Sequence, residues 1–121
     1  MSGKGRERQE RERLGRLAEI RAALWLNLHF WWVLDRRVKT PRGEIDLIAR
    51  RGRTVAFIEV KYRRNAEDLD LAIDEYRLRR VAAAAEAVAH RYLGPHDTAR
   101  IDVLLLAPNR FPRHIVNVWQ P

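Results

Sequence analysis

Apolar positions in this chain change their period several times, and each change marks a different element. Leu14, Leu17, Ala18, Leu24, Trp25 and Leu28 return at helical spacing and predict a first helix from residue 14 to about 29. "WWVLDRRV" (31–38) then reads as a strand, followed by strands near 44–50 and 54–62 with Arg51-Gly52 at the turn between them. Residues 68 to about 93 return to a helical pattern, with Asp68 or Asp70 able to cap the start and Gly94-Pro95 ending it. "RIDVLLLAP" (100–108) is an almost unbroken apolar strand, and "HIVNVW" (114–119) is the last. The order is α-β-β-β-α-β-β. A strand, a long helix and a fully apolar strand in succession predict a crossover to a parallel neighbour, hence an α/β fold with a mixed β-sheet flanked by helices. No repeat or interdomain linker interrupts residues 14–121, which are expected to form a single domain. Residues 1–13 are expected to be a charged arm or the start of the first helix. "KGRERQERER" alternates sign there, with Glu7–Arg11 and Glu12–Arg16 at i,i+4 spacing.

Three acids interrupt the second and third strands: Glu44, Asp46 and Glu59. A carboxylate among Ile, Leu, Val and Phe is costly unless it finds a partner, a proton or a metal ion. Side chains alternate along a strand, so Glu59 and Lys61 share one face with Val55 and Phe57. A two-residue turn at Arg51-Gly52 would place Asp46 opposite Phe57 and diagonal to Glu59 on that same face. Two carboxylates could then converge on one cation. Hard oxygen donors, with no cysteine and no clustered histidine, favour Mg²⁺ or Mn²⁺. A metal-bound water is a nucleophile near neutral pH, and Lys61 could orient it or offset charge in a phosphoryl transition state. The same residues would also serve as surface ion pairs on a half-exposed sheet, and spacing alone does not separate the two readings.

Charge sharpens the picture. The chain has 121 residues and a formal net charge of +8. Residues 36–64 carry ten Lys/Arg against three acids, which is almost the whole excess. A basic surface around a small acidic cluster suits a polyanion held beside a metal site. Arg50, Arg53, Arg63, Arg64 and Arg77 are the candidate phosphate contacts, and nucleic acid, DNA ahead of RNA, is the expected partner. Residues 22–34, the longest apolar-looking stretch, are broken by Asn27 and His29 and fall short of the ~20 residues a membrane helix needs. Residues 4–16 are too charged for a signal peptide, and cysteine is absent, so a cytoplasmic protein without a membrane partner is expected. His29, His90, His96 and His114 show no paired ligand spacing. Trp31 and Trp32, being adjacent, should point to opposite strand faces, one of them into the core.

The string "GEIDLIARRG…VAFIEVKYRR" resembles the signature of the YraN-like family. These are small bacterial proteins with a PD-(D/E)XK nuclease-type fold similar to archaeal Holliday-junction resolvases. "GRLAEIRAA" (15–23) is similar to the family's G-x-x-x-E-x-x-A helix, and "RIDVLLL" (100–106) to its R-F/I-D-V strand. The resemblance implies a restriction-endonuclease-like fold, Asp46 and Glu59 as metal ligands, Lys61 as the catalytic lysine and Glu19 as an acid reaching in from the first helix. Glu44 would flank the site. One position departs from the family: Arg77 stands where a lysine is usual in K-x-x-R/K-L/I. Arginine binds phosphate through a planar fork but is a poor proton donor or acceptor. The expected function is a Mg²⁺- or Mn²⁺-dependent endonuclease-like domain acting on DNA, branched or flap structures included. The alternatives are a non-catalytic nucleic-acid-binding module of the same fold and a protein-interaction domain. A homodimer is compatible with all three.

Overall fold

The computed structural model describes residues 3–63 and 75–119. Its elements follow the order read from the sequence: α1 (Gly3–Leu28), β1 (Trp32–Thr40), β2 (Gly43–Arg51), β3 (Thr54–Tyr62), α2 (Glu75–Val88), β4 (Thr98–Leu106) and β5 (Arg113–Ile115). The five strands lie side by side in chain order. β3 and β4 run parallel, and the other neighbouring pairs are antiparallel. The parallel pair is the crossover that the long apolar strand predicts. α2 gives way to a 3-10 turn at Ala89–Arg91, two residues before the expected end. Its expected start, with Asp68 or Asp70 as cap, lies outside the described residues. No helix among those described is long and apolar enough to cross a membrane.

The sheet is buried on both sides, and strand alternation divides the core. Ile48, Val55, Phe57, Ile101, Val103 and Leu105 meet α2 through Leu78, Val81, Ala84, Ala85 and Val88. Leu47, Ala49, Ala56, Ile58, Leu104 and Leu106 meet α1 through Ala18, Ala22 and Leu26. α1 therefore docks by two alanines and a single leucine, Leu26. Leu17, Leu24 and Leu28, part of the apolar periodicity that predicts this helix, are 44%, 58% and 77% exposed. The period was legible, but the helix carries two apolar stripes and the smaller side chains allow the closer approach to the sheet. Trp31 is in the core and Trp32 is exposed, as their adjacency requires.

Two glycines set the frame. The β2–β3 turn is Gly52-Arg53, closed by the pair Arg51–Thr54, rather than Arg51-Gly52. Gly52 has φ +62, a conformation glycine takes without strain at the first turn position. The register is thus shifted by two residues from the sequence expectation, and Leu47 faces Ile58. A shift of two leaves the paired residues 47–51 and 54–58 on their expected faces. Ile45 joins Ile48 on the α2 side while Leu47 faces α1, so the alternation breaks at Asp46. At the start of β2, a Cβ on Gly43 would stand 2.7 Å from the carbonyl oxygen of Arg80. Glycine there lets α2 sit directly against the strand that carries Asp46.

Candidate active site

The paired ladder of β2 and β3 ends at Leu47–Ile58. One residue further, the Asp46 side chain takes over: the N–H of Val60 donates to Asp46 Oδ2 at 2.8 Å. This bond fixes the carboxylate at the fork where the two strands part. Burial pushes the Asp46 carboxyl up to about 6; the Val60 N–H and Arg77 oppose this, while the charges of Glu59 and Glu19 add to it. An acid perturbed in this way, in a cleft, marks a candidate functional group.

Glu59 and Lys61 follow on β3 and are almost fully buried, at 4% and 6% exposure. Lys61 Nζ lies 3.0 Å from Glu59 Oε1. Arg77 Nε, from α2, approaches the same oxygen at 3.3 Å. Arg77 therefore reaches into the site, as its place on the helix suggests. From the other side, α1 presents Glu19 one residue after buried Ala18, and Arg37 Nε donates to Glu19 Oε2 at 2.6 Å. Arg37 sits at φ +52, uncommon for a residue with a Cβ, and this turns its side chain toward α1. Sequence reasoning missed Arg37, because nothing in "LDRRV" announces a left-handed residue inside a strand.

A cavity of about 560 Å³ is lined by Arg11, Gly15, Glu19, Asp46, Lys61, Arg63 and Arg77 among others. A neighbouring one of about 520 Å³ is lined by Glu44, Asp46, Glu59, Tyr76, Arg77, Arg80 and Val81. Asp46 and Arg77 belong to both, so the acids and the lysine meet at one end of the sheet between the two helices. Glu44 is exposed on the rim.

The phosphate-binding candidates separate. Arg63 lines the first cavity, and its Nη1 donates to the Tyr62 carbonyl. Arg53 occupies the β2–β3 turn, at the opposite end of the hairpin from Asp46. Arg50 is half-buried and engaged by the protein's own acceptors: its guanidinium donates to Asp97 at 2.7 Å, to the Tyr92 carbonyl at 2.9 Å and to the Gly52 carbonyl at 3.3 Å. Expected from the sequence as a phosphate contact, it is paired here with Asp97, far along the chain. Arg64 lies outside the described residues.

The donor chemistry of Asp46 and Glu59, hard carboxylate oxygens close enough to perturb one another, fits Mg²⁺ or Mn²⁺. A third donor is not ready. Among the described residues no group of three or more His, Asp or Glu side chains is arranged to hold a metal ion. Glu19 would have to leave Arg37 to join them.

Comparison with known proteins bears on the family and the fold. A sequence model of the uncharacterised protein family UPF0102 matches residues 18–106. A UPF0102 protein of Sphingopyxis alaskensis is 66% identical over 110 residues, covering 91% of this chain and 95% of its own. One from Erythrobacter litoralis is 64% identical over 115 residues, covering 95% and 99%. Among solved structures, Hjc of Archaeoglobus fulgidus, a Holliday junction resolvase, superposes with a TM-score of 0.57 at 20% identity, covering 81% of this chain and 72% of its own. At that identity the likeness is one of fold, the PD-(D/E)XK nuclease-like fold.

Proposed function

The chain belongs to the uncharacterised protein family UPF0102, and from that premise we propose that residues 14–121 act as a metal-dependent endonuclease-like domain. The domain would work in the cytoplasm, binding DNA and hydrolysing its phosphodiesters, branched and flap DNA included. The observation that carries this reading is the convergence of Asp46, Glu59 and Lys61 where β2 and β3 separate. A solved neighbour named as a Holliday junction resolvase supports the choice of DNA.

Asp46 and Glu59 would hold the cation, with Glu19 as a further ligand once released by Arg37. A divalent ion there supplies an activated water and neutralises phosphoryl charge. The Val60 N–H keeps Asp46 aimed while substrate enters. Lys61, buried beside Glu59, would offset the charge that develops on the phosphoryl oxygens. Arg77 offers its fork to a phosphate and takes no part in moving protons.

A second reading has its own observation. Glu59 is already neutralised by Lys61 and Arg77, and Glu19 by Arg37, an arrangement that suits a domain that binds nucleic acid without cutting it. Labelled linear, flap and junction DNAs, with RNA controls, assayed with Mg²⁺ or Mn²⁺ and with EDTA, separate the readings. Metal-dependent nicking that EDTA abolishes is expected. Salt-sensitive binding without nicking selects the binding module, and neither activity on any of these nucleic acids leaves a protein-interaction domain.

A further inference from the structure

The first residue that α1 buries in the sheet is Ala18, so the helix runs about 22 Å from Gly3 before its first buried side chain. Its charges are not spread evenly around the axis. Lys4, Arg8, Arg11 and Gly15 recur at three- and four-residue spacing and continue the line of Ala18 and Ala22, the face turned toward the sheet. Arg6, Arg13 and Arg16 point away from that face. Lys4 and Arg8 are exposed and make no ion pair among the described residues, while Arg11 donates only to the backbone carbonyl of Glu7. Arg11 and Gly15 line the same cavity as Asp46 and Lys61.

Gly15 itself calls for a reason. Glycine inside a helix is destabilising relative to alanine. Close packing does not require it here, since a Cβ at this position would meet nothing within 4 Å. The open space above it is the cavity that leads to Asp46. A helix stripped of its side chain at that point lets a bulky ligand come close to the backbone.

We propose that the inner face of this first part of α1 is the second wall of the nucleic-acid track. Lys4, Arg8 and Arg11 take phosphates of one strand, and the strand crosses α1 at Gly15 on its way to Asp46. The inference rests on the nucleic-acid reading above and adds a surface outside the basic segment 36–64.

The test compares two triple variants of the full chain, in EDTA, by anisotropy of labelled duplex and junction DNA across a salt series. Lys4→Gln/Arg8→Gln/Arg11→Gln should flatten the slope of log affinity against log salt by about 2.7 on duplex DNA, at 0.9 per lost phosphate contact. Arg6→Gln/Arg13→Gln/Arg16→Gln removes the same charge and should leave most of that slope. Gly15→Leu should melt at a higher temperature than the native protein while binding DNA several-fold more weakly. Equal losses from the two triples, or native affinity in Gly15→Leu, would overturn the track and leave the nucleic-acid reading standing. A native protein that binds no nucleic acid at any salt would overturn both.

Discussion

Val60 donates its backbone N–H to the side chain of Asp46 at the point where β2 and β3 stop pairing with each other. A carboxylate in place of a ladder partner splits the strands without leaving that N–H unsatisfied, and it places an acid in the opening so formed. The rest of the site is arranged around this bond: Glu59 and Lys61 on the departing strand, Arg77 from α2 and Glu19 from α1.

The first prediction concerns the cost of that acid. Asp46 keeps its proton in the folded protein up to about pH 6, against 3.8 for the ordinary carboxyl. Between those values the folded state binds more protons, so its stabilising contribution is present below about pH 4 and is lost as pH rises through 6. The loss is on the order of 3 kcal/mol at neutral pH. Asp46→Asn cannot ionise and still offers an oxygen to Val60. In EDTA its melting temperature should therefore gain on the native protein between pH 4 and 6.5 and then stay level. A gap that does not change with pH would show that this carboxyl is not perturbed.

Asp102 supplies a prediction of the opposite kind, about the fold and not the site. It is fully buried, receives the Arg100 fork at 3.0 and 2.8 Å, meets His114 Nε2 at 2.7 Å and accepts the Asn117 N–H at 2.9 Å. Burial alone would raise its pKa, but the bonds from His114, Arg100 and Asn117 outweigh it and hold the carboxyl below its ordinary value. These bonds fasten the short strand β5 to β4. Asp102→Ala should cost about 3–5 kcal/mol in denaturant unfolding, because it leaves a buried charged network without its centre. A loss under about 1 kcal/mol, the range of surface pairs, would mean that the network contributes little.

Arg50 should prove structural. Its bond, together with the Gly94 N–H, lowers the Asp97 carboxyl to about 2, so the stability it adds is present above about pH 4 and is lost as pH falls toward 2. Arg50→Gln should lower the melting temperature at pH 7, and the difference should shrink in acid. Its DNA affinity should stay native, whereas Arg63→Gln should reduce the salt slope by about 0.9 on duplex DNA. A reduced slope in Arg50→Gln would return this residue to the nucleic-acid surface.

Period and parity explain what was legible in the sequence. The strand at 54–62 was readable to the residue, and the parallel crossover followed from the apolar run after the second helix. A two-residue slip preserves parity in the ladder, so the misplaced turn still left Asp46 and Glu59 at the same end of the two strands, where the charge of one is felt by the other. Contacts between distant segments were not legible. The phase of α1 depends on which of two apolar stripes fits the sheet. Arg37 finds Glu19 through a left-handed residue, and Arg50 is captured by Asp97 from a loop beyond α2.

The most direct test of the central claim is a side-by-side cleavage assay of the native protein, Asp46→Asn and Lys61→Ala. The three are purified identically and given labelled linear, flap and junction DNA with Mg²⁺ or Mn²⁺. The native protein should nick DNA in a reaction that EDTA stops. Asp46→Asn, which keeps its size but loses the charge that holds the cation, should fall by orders of magnitude while its DNA binding in EDTA stays native or tightens. Lys61→Ala should fall roughly 10²–10³-fold, the usual cost of losing one electrostatic stabiliser of a transition state. Equal cleavage by Asp46→Asn and the native protein, or none by the native protein on any DNA, would contradict the account.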